Sequence, residues 1–255
     1  MTRAATNPVA AAPLSVSLEL GPYKALIGTT PDLRAYALAL RADVFLQGRD
    51  DTDRFDDTCL HGCVLSGTGA VQVAFRARLL HDPRAMSDSY TGQNYDLSPL
   101  RAVQGPFLEL GRFCQADGRT DTTALRLAWA AIGVLVDQED VRMMIGCSSF
   151  PKADPATHHA PLAVLRARHL GPSALRPGRR SKHAIDLPKG PAPHATLPPL
   201  LRSYLGMGGW VGDHAVLDRD LDRLHVFTGL SIEAIPEPRK ARLRAVAQAA
   251  ETAGS

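Results

Sequence analysis

Cysteine is scarce in this sequence, with four residues in a chain of 255. That number does not make a disulfide framework, and a reducing cytosol is the simpler setting. Long apolar runs are missing as well. No stretch approaches the roughly 18 apolar residues of a membrane-spanning helix. The opening stretch "MTRAATNPVAAAPLS" has one arginine and no continuous apolar segment, so no signal peptide is expected. Charge of one sign is not in excess either. The net charge of +3 is mild, where a dedicated nucleic-acid binder is more basic, so no nucleic-acid partner is expected. No serine or cysteine sits in a G-x-S-x-G elbow, which leaves a covalent acyl-enzyme little support. No internal repeat occurs. "CLHGC" puts Cys59, His61 and Cys63 on one face of a strand, but no second ligand pair has metal-site spacing. Core packing with a satisfied histidine is the expectation there, and no metal.

What is present is an ordinary globular composition, 45% hydrophobic and 22% charged, in a chain long enough to bury a substantial core. Residues 1–14 read as a flexible lead-in. "SVSLEL" and "YKALIGTT" alternate like strands. "DLRAYALALRADVFLQG" places Leu33, Tyr36, Leu40, Val44 and Phe45 at helical spacing and stops at Gly48. After the charged loop "RDDTDRFDD", "CLHGCVLSG" and "AVQVAFRARLL" flank a glycine turn and read as a hairpin. A polar loop, 81–104, leads to the strand "PFLELGRFC". The helix "TTALRLAWAAIGVLVDQE", the strand "VRMMIGCSSF" and the helix "DPATHHAPLAVLRARHL" follow. Residues 171–195 turn rich in Pro, Gly, Arg and Lys and read as an irregular insertion. "LPPLLRSYLGMGG", "WVGDHAVLD" and "RLHVFTGLSI" complete a domain over 15–235, and 236–255 reads as an exposed, fraying helical tail. Strands and helices alternate behind a hairpin, which predicts an α/β (α+β) layer fold with a central mixed sheet flanked by helices.

Several residues carry possible chemistry. Glu109 opens a strand, where a partly buried carboxylate can serve as a general base, directly or through water. A carboxylate paired with a nearby arginine fits the same pattern. The loop 115–121 holds a single glycine, Gly118, and opens a helix. Arg112, Arg119 and the backbone at Gly118 are candidates to hold a phosphate, with Thr120, Thr122 or Thr123 as helix cap. Arg41, Asp53, Asp56 and Asp57 gather charge near a helix end and a strand start. They read either as a solvated loop or as a pocket for a cationic acceptor. Asp213 lies in a glycine-rich run that suits a ligand or a tight turn. His158 and His159 read as surface or capping residues. In the insertion, Arg176, Arg179, Arg180, Lys182 and Lys189 suit an acidic carrier protein, anionic lipid head groups, or plain solvation.

The run "ELGRFC…ALRLAW…GCSSFPKADP" resembles the bacterial ornithine–acyl carrier protein N-acyltransferases, which make lyso-ornithine lipid in the first step of ornithine-lipid synthesis. "LRADVF", "DRFDDTCLH", "YDLSPL", "LPPLLRSYLGMGGWVGDHAVLD" and the late "HVF" match in order, so the resemblance covers roughly residues 33–230. That family is similar in turn to GCN5-related N-acetyltransferases and to acyl-homoserine-lactone synthases. The resemblance implies that fold, acyl carrier protein as partner and 3-hydroxyacyl donor, and ornithine as acceptor. No cofactor is implied beyond the carrier's acyl-phosphopantetheine as co-substrate. It implies Glu109 as base, Arg41, Asp53, Asp56 and Asp213 as acceptor-binding or site-ordering groups, and Arg112, Gly118, Arg119 and Thr120 at the phosphopantetheine. One glycine suits the single phosphodiester of a carrier-bound arm. The chain departs from the family at Gln47–Gly48, at "HGCV" and at His214, positions that bear on the acceptor rather than on the reaction. Glutamine or lysine as acceptor, a homoserine-lactone synthase, and a non-catalytic carrier- or lipid-binding module are the alternatives. A cytoplasmic protein, peripheral on the inner face of the membrane, is the expected location.

Overall fold

The computed structural model describes residues 14–116, 122–191 and 194–253. Strands β1 (Leu14–Leu20) and β2 (Tyr23–Gly28) form a hairpin, followed by helix α1 (Pro31–Leu46). Thr30 starts α1 by accepting the Leu33 amide on its hydroxyl, with Pro31 in the first turn, and Gln47 ends it in the left-handed conformation. The second hairpin is β3 (Leu60–Leu65) and β4 (Val71–Leu80). The polar stretch that follows is more ordered than its composition suggests. It holds the short helix α2 (Tyr90–Asn94), the two-residue strand β5 (Tyr95–Asp96) and flanking 3-10 turns. Then come β6 (Phe107–Gln115), α3 (Thr122–Gln138), β7 (Met143–Pro151) and α4 (His159–Arg168). The segment read as an irregular insertion contributes β8 (Gly178–Arg179) and β9 (Ala184–Asp186). Helix α5 (Pro199–Gly206), strands β10 (Trp210–Asp218) and β11 (Arg223–Ser231), and helix α6 (Glu237–Ala253) finish the described chain.

Among the described residues nine strands form one mixed sheet in the order β1-β2-β3-β4-β6-β7-β11-β10-β9. Its ladders are antiparallel except the central one, where β6 and β7 run parallel. The strand alternation expected from the sequence divides the core between two faces. On β3, β4 and β6, Cys63, Ala74 and Cys114 face α1 with Leu33, Ala37 and Leu40, while Val64, Val73 and Phe75 join the layer containing α3. The other half of the sheet packs α4 and α5 through Leu162, Leu165 and Leu201 against Val211 and Val226. The segment 81–104 covers the opposite face through Met86, Tyr95, Leu97 and Leu100.

The tail departs from expectation. Helix α6 is not a frayed appendage, because Val246, Ala247 and Ala250 are buried in the same core layer as α3. Three small or branched residues at helical spacing supply that apolar stripe within an otherwise polar run. His158 departs in part. It is not on the surface: it holds the N-cap position of α4, the capping alternative, and is buried with Nε2 on the Pro151 carbonyl.

Candidate active site at the parting of two parallel strands

The parallel ladder is short. It runs Phe107–Met143, Leu108–Met144, Glu109–Ile145 and Leu110–Gly146, and beyond Gly146 no ladder pair joins the two strands. Each strand stays fixed on its outer side, β6 to β4 as far as Gln115 and β7 to β11 as far as Pro151. They therefore part without losing their frames. The parting coincides with a bulge in β6. Arg76 pairs with Gly111 and Ala74 with Cys114, so Phe75 alone opposes both Arg112 and Phe113. Arg112 absorbs the extra residue with φ of 51°, a left-handed conformation uncommon outside glycine.

The gap is a cavity of about 440 Å³. Residues 110–116 and 146–149 form its two long walls, Phe113, Leu200 and Tyr204 give it an apolar side, and Val44, Phe45, Tyr90, Asp218, Arg223 and His225 surround the other side. The apolar side continues an aromatic row in which Phe75 stacks on Phe113, Phe113 on Trp129, and Trp129 meets Tyr204 edge-on. A cavity that is apolar on one side and ionisable on the other suits an acyl chain meeting a charged acceptor.

An ionic cluster braces the polar side. Arg41 on α1 binds Asp51 from Nε at 2.8 Å and Asp56 from Nη1 at 2.6 Å. Arg76 on β4 binds Asp53 at 2.6 Å and Asp56 at 3.1 Å. Arg112 binds Asp51 at 3.1 Å and Asp53 at 3.2 Å. Three arginines thus meet three aspartates, and Phe55 and Tyr90 pack on the guanidinium planes of Arg76, with Tyr90 and Phe45 on that of Arg112. Burial alone would raise the Asp56 carboxyl. The Arg41 hydrogen bond, the Asp53 amide, and the charges of Arg41 and Arg76 outweigh it and hold Asp56 far below the usual carboxylate range.

This arrangement sorts the sequence candidates. Arg41, Asp53 and Asp56 come together, with Asp51 and Arg76 as members that the sequence reading did not single out. Their charges are spent on one another, so the cluster orders the α1–β3 loop and offers no free carboxylate to a cation. Arg112 was expected at a phosphate, but its guanidinium is held by Asp51 and Asp53. Glu109 is buried, accepts the amides of Tyr90 at 3.3 Å and Thr91 at 2.6 Å, and is not among the residues lining the cavity. Its two hydrogen bonds make it an anchor for α2. Asp213 lies away from the cavity in a β10 irregularity, with its side chain 47% exposed and hydrogen-bonded to His214 Nδ1 at 2.8 Å. Gly118, Arg119 and Thr120 lie outside the described residues. Arg179, Arg180, Lys182 and Lys189 are exposed on the insertion, beside the segment 81–104 through β5–β8 pairing.

Tyr90, Asp218, Arg223 and His225 were not singled out as site residues. Tyr90 sat in a segment read as loop, and His225 sat in "HVF" without an assigned role. The Tyr90 hydroxyl donates to Asp218 Oδ2 at 2.9 Å. Asp218 Oδ1 accepts the amides of Asp220 and Leu221, which fixes the carboxylate on the β10–β11 turn. Arg223, opposite Asp218 in the hairpin register, donates to the Val44 carbonyl at 3.2 Å and lies over the Phe45 ring. Among the described residues no carboxylate forms an ion pair with it. Cys147 lines the cavity, but burial, reinforced by the charge of Glu109, pushes its thiol far above the range in which a thiolate forms.

The acetyltransferase (GNAT) domain family matches residues 35–130, a span that includes most of α1, the ionic cluster and the bulge. The L-ornithine N(alpha)-acyltransferase of Rhodobacter capsulatus is 30% identical over 249 residues, covering 91% of this chain and 96% of that protein. The chain belongs to the L-ornithine N(alpha)-acyltransferase family. The family member from Brucella abortus is also 30% identical, over 72% of this chain and 71% of its own length. A solved CoA-dependent acyl-homoserine lactone synthase, BjaI with MTA, is 14% identical, with a TM-score of 0.45 over 86% of this chain and 92% of that one. The protein is an acyltransferase with the expected GNAT-type fold, and in this member of the family the central ladder opens at Gly146.

Proposed function

We propose that the protein transfers an acyl group from a thioester to the α-amine of ornithine. The observation that carries this reading is the cavity at the parting of β6 and β7, in a chain whose relatives are named for that reaction. Strand edges released from one another present backbone N–H and C=O groups to whatever lies between them. An extended acyl-thioester arm with amide groups can satisfy them as an added strand would. In this reading the same N–H groups receive the oxyanion of a tetrahedral intermediate.

The acceptor enters from the ionisable side. Arg223, with no carboxylate partner of its own, binds the α-carboxylate, and Asp218 receives the side-chain ammonium. Opposite charges facing each other on one rung of a hairpin suit an amino acid that carries both signs. In this reading the nitrogen attacks the thioester carbon directly, and the burial that raises the Cys147 thiol disfavours a covalent intermediate there.

The donor in this reading is a 3-hydroxyacyl chain on the phosphopantetheine of an acyl carrier protein, with no other cofactor. The exposed basic residues beside β5–β8 support docking of an acidic carrier at that edge. No described helix is long and apolar enough to cross a membrane. A cytoplasmic protein that touches the inner membrane face while releasing its amphipathic product fits the reading. Purified protein should convert 3-hydroxyacyl carrier protein and ornithine to Nα-acylornithine, detected by mass spectrometry. A different acyl-amino acid as main product would move the acceptor assignment to another substrate, and S-adenosylmethionine consumption would give the lactone-synthase reading instead.

A further inference from the structure

His225 is 2% exposed and stands in the cavity wall on β11. Its ring is held by one partner. The Tyr95 hydroxyl lies 3.0 Å from the His225 carbonyl and 3.1 Å from His225 Nδ1. A carbonyl only accepts, so the single Tyr95 proton goes to it. The Tyr95 oxygen is then an acceptor toward the ring, and Nδ1 must carry the hydrogen. A neutral imidazole has one N–H. Its second nitrogen, Nε2, is therefore left with a free lone pair, and it has no hydrogen-bond partner among the described residues. The neighbours do not supply one. Tyr90 packs at 6.5 Å between ring centroids, and Asp218 and His214 on β10, Arg112 on β6 and Cys147 on β7 complete the ionisable surroundings. No hydrogen bond joins Asp218 to His225 Nε2; its oxygens take the Tyr90 hydroxyl and two amides and keep a lone pair for a further donor. Tyr95 itself is fully buried among Phe227, His214 and His225, so the assignment is built into the core.

Other buried side-chain nitrogens, among them His61 Nδ1 and His214 Nε2, also lack a partner among the described residues, but of these residues only His225 lines the cavity. We infer that His225 Nε2 is the group that removes the proton from the acceptor nitrogen during acyl transfer, and that Tyr95 is the positioning residue that fixes the required tautomer. This rests on the acyltransfer reading above and names its base. The free amine of the acceptor forms the N–C bond with its lone pair. The tetrahedral adduct then carries a positively charged nitrogen, whose extra proton passes to Nε2. The C–S bond breaks, its electron pair leaves with sulfur, and the imidazolium gives that proton to the sulfur. Amide and free thiol result, with the imidazole regenerated. Burial supports the neutral starting state by lowering the imidazole's affinity for a proton, with Arg112 and His214 adding to it against Asp218.

The test uses the full chain, with ornithine and a 3-hydroxyacyl carrier protein as substrates. His225→Ala should keep the fold by circular dichroism, lower kcat at least about 100-fold, and leave KM for ornithine within about threefold. Added imidazole should restore turnover at least about tenfold, a readout that a purely structural histidine would not give. A kcat within about threefold of the wild type, or a loss that imidazole leaves unchanged, overturns the inference. If H225A does not fold, Tyr95→Phe takes its place, because it keeps the ring and removes only the hydroxyl. A drop of about tenfold in kcat at constant KM is then expected, and wild-type turnover overturns the inference. Absence of acylornithine from the wild-type protein would instead remove the parent reading, so the two failures are distinct.

Discussion

A Cβ on Gly146 would run into the backbone carbonyl of Leu110, so these two residues meet at the apex where β6 and β7 part. Only glycine lets the last rung close this tightly before the strands diverge. Gly146→Ala should push the apex open, destabilise the fold by about 1–3 kcal/mol, and lower acyl transfer more than stability loss explains. Denaturant midpoints and single-turnover rates on the folded fraction check this. Unchanged values on both would mean that the apex tolerates a wider gap.

The ionic cluster gives a sharper stability prediction. Arg41 is fully buried and serves both Asp51 and Asp56. Arg41→Met removes a charge of similar bulk and leaves two buried carboxylates short of a partner, which should cost about 3–5 kcal/mol in chemical denaturation. A small effect would show the cluster to be hydrated.

The pH dependence has a definite sign. Asp56 is held below its unfolded value, so its contribution is complete above about pH 4 and is lost as pH falls toward the folded value. His225 adds to the same side. Its imidazole, at about 4 in the fold against 6.5 as the ordinary value, binds a proton more readily in the unfolded chain. Stability should therefore fall between about pH 6.5 and pH 4, with about 3 kcal/mol from this residue. His225→Gln should flatten that slope while leaving the Asp56 loss at lower pH. An identical slope in the variant would show that other groups carry it.

Arg223→Gln should raise KM for ornithine at least about tenfold while leaving KM for the acyl donor and the thermal midpoint near wild-type values. The guanidinium makes one hydrogen bond to a backbone carbonyl, so little structure depends on it. Equal effects on donor and acceptor would move Arg223 out of the acceptor site.

Glu109 separates two views of the proton transfer. As an anchor for Tyr90 and Thr91, its change to Gln leaves one acceptor oxygen and one mismatched amide. Turnover should fall about tenfold, stability by about 1–3 kcal/mol, and exogenous imidazole should do nothing. A loss of about 1,000-fold or more in a fully stable E109Q variant would return the base to Glu109.

Most of the sheet was legible because apolar alternation in β1 and β2, the glycine turn between β3 and β4, helical spacing in α1 and the good helix formers of α3 are local signals. The segment 81–104 was not, since α2 and β5 are short and are ordered by tertiary partners such as Glu109 and the strand β8. The apolar stripe of α6 was hidden by its charged neighbours. For the site, Arg41, Asp53 and Asp56 were found as a constellation, but charge alone did not show that Arg76 and Arg112 would neutralise them from two strands away. An arginine within the apolar alternation of "VAFRAR" was the available sign of Arg76. The bulge at Arg112 and the tautomer of His225 have no local signature, because each depends on a neighbour distant in sequence.

The central claim is that the acyl thioester lies between β6 and β7 with its carbonyl within reach of His225. An experimental structure with a non-hydrolysable acyl-pantetheine analogue and ornithine tests it most directly. The account predicts the arm along residues 110–115 and 146–149, the ornithine carboxylate at Arg223, and the α-nitrogen within hydrogen-bonding distance of His225 Nε2. An arm bound elsewhere, with the gap between the strands still open, would contradict it.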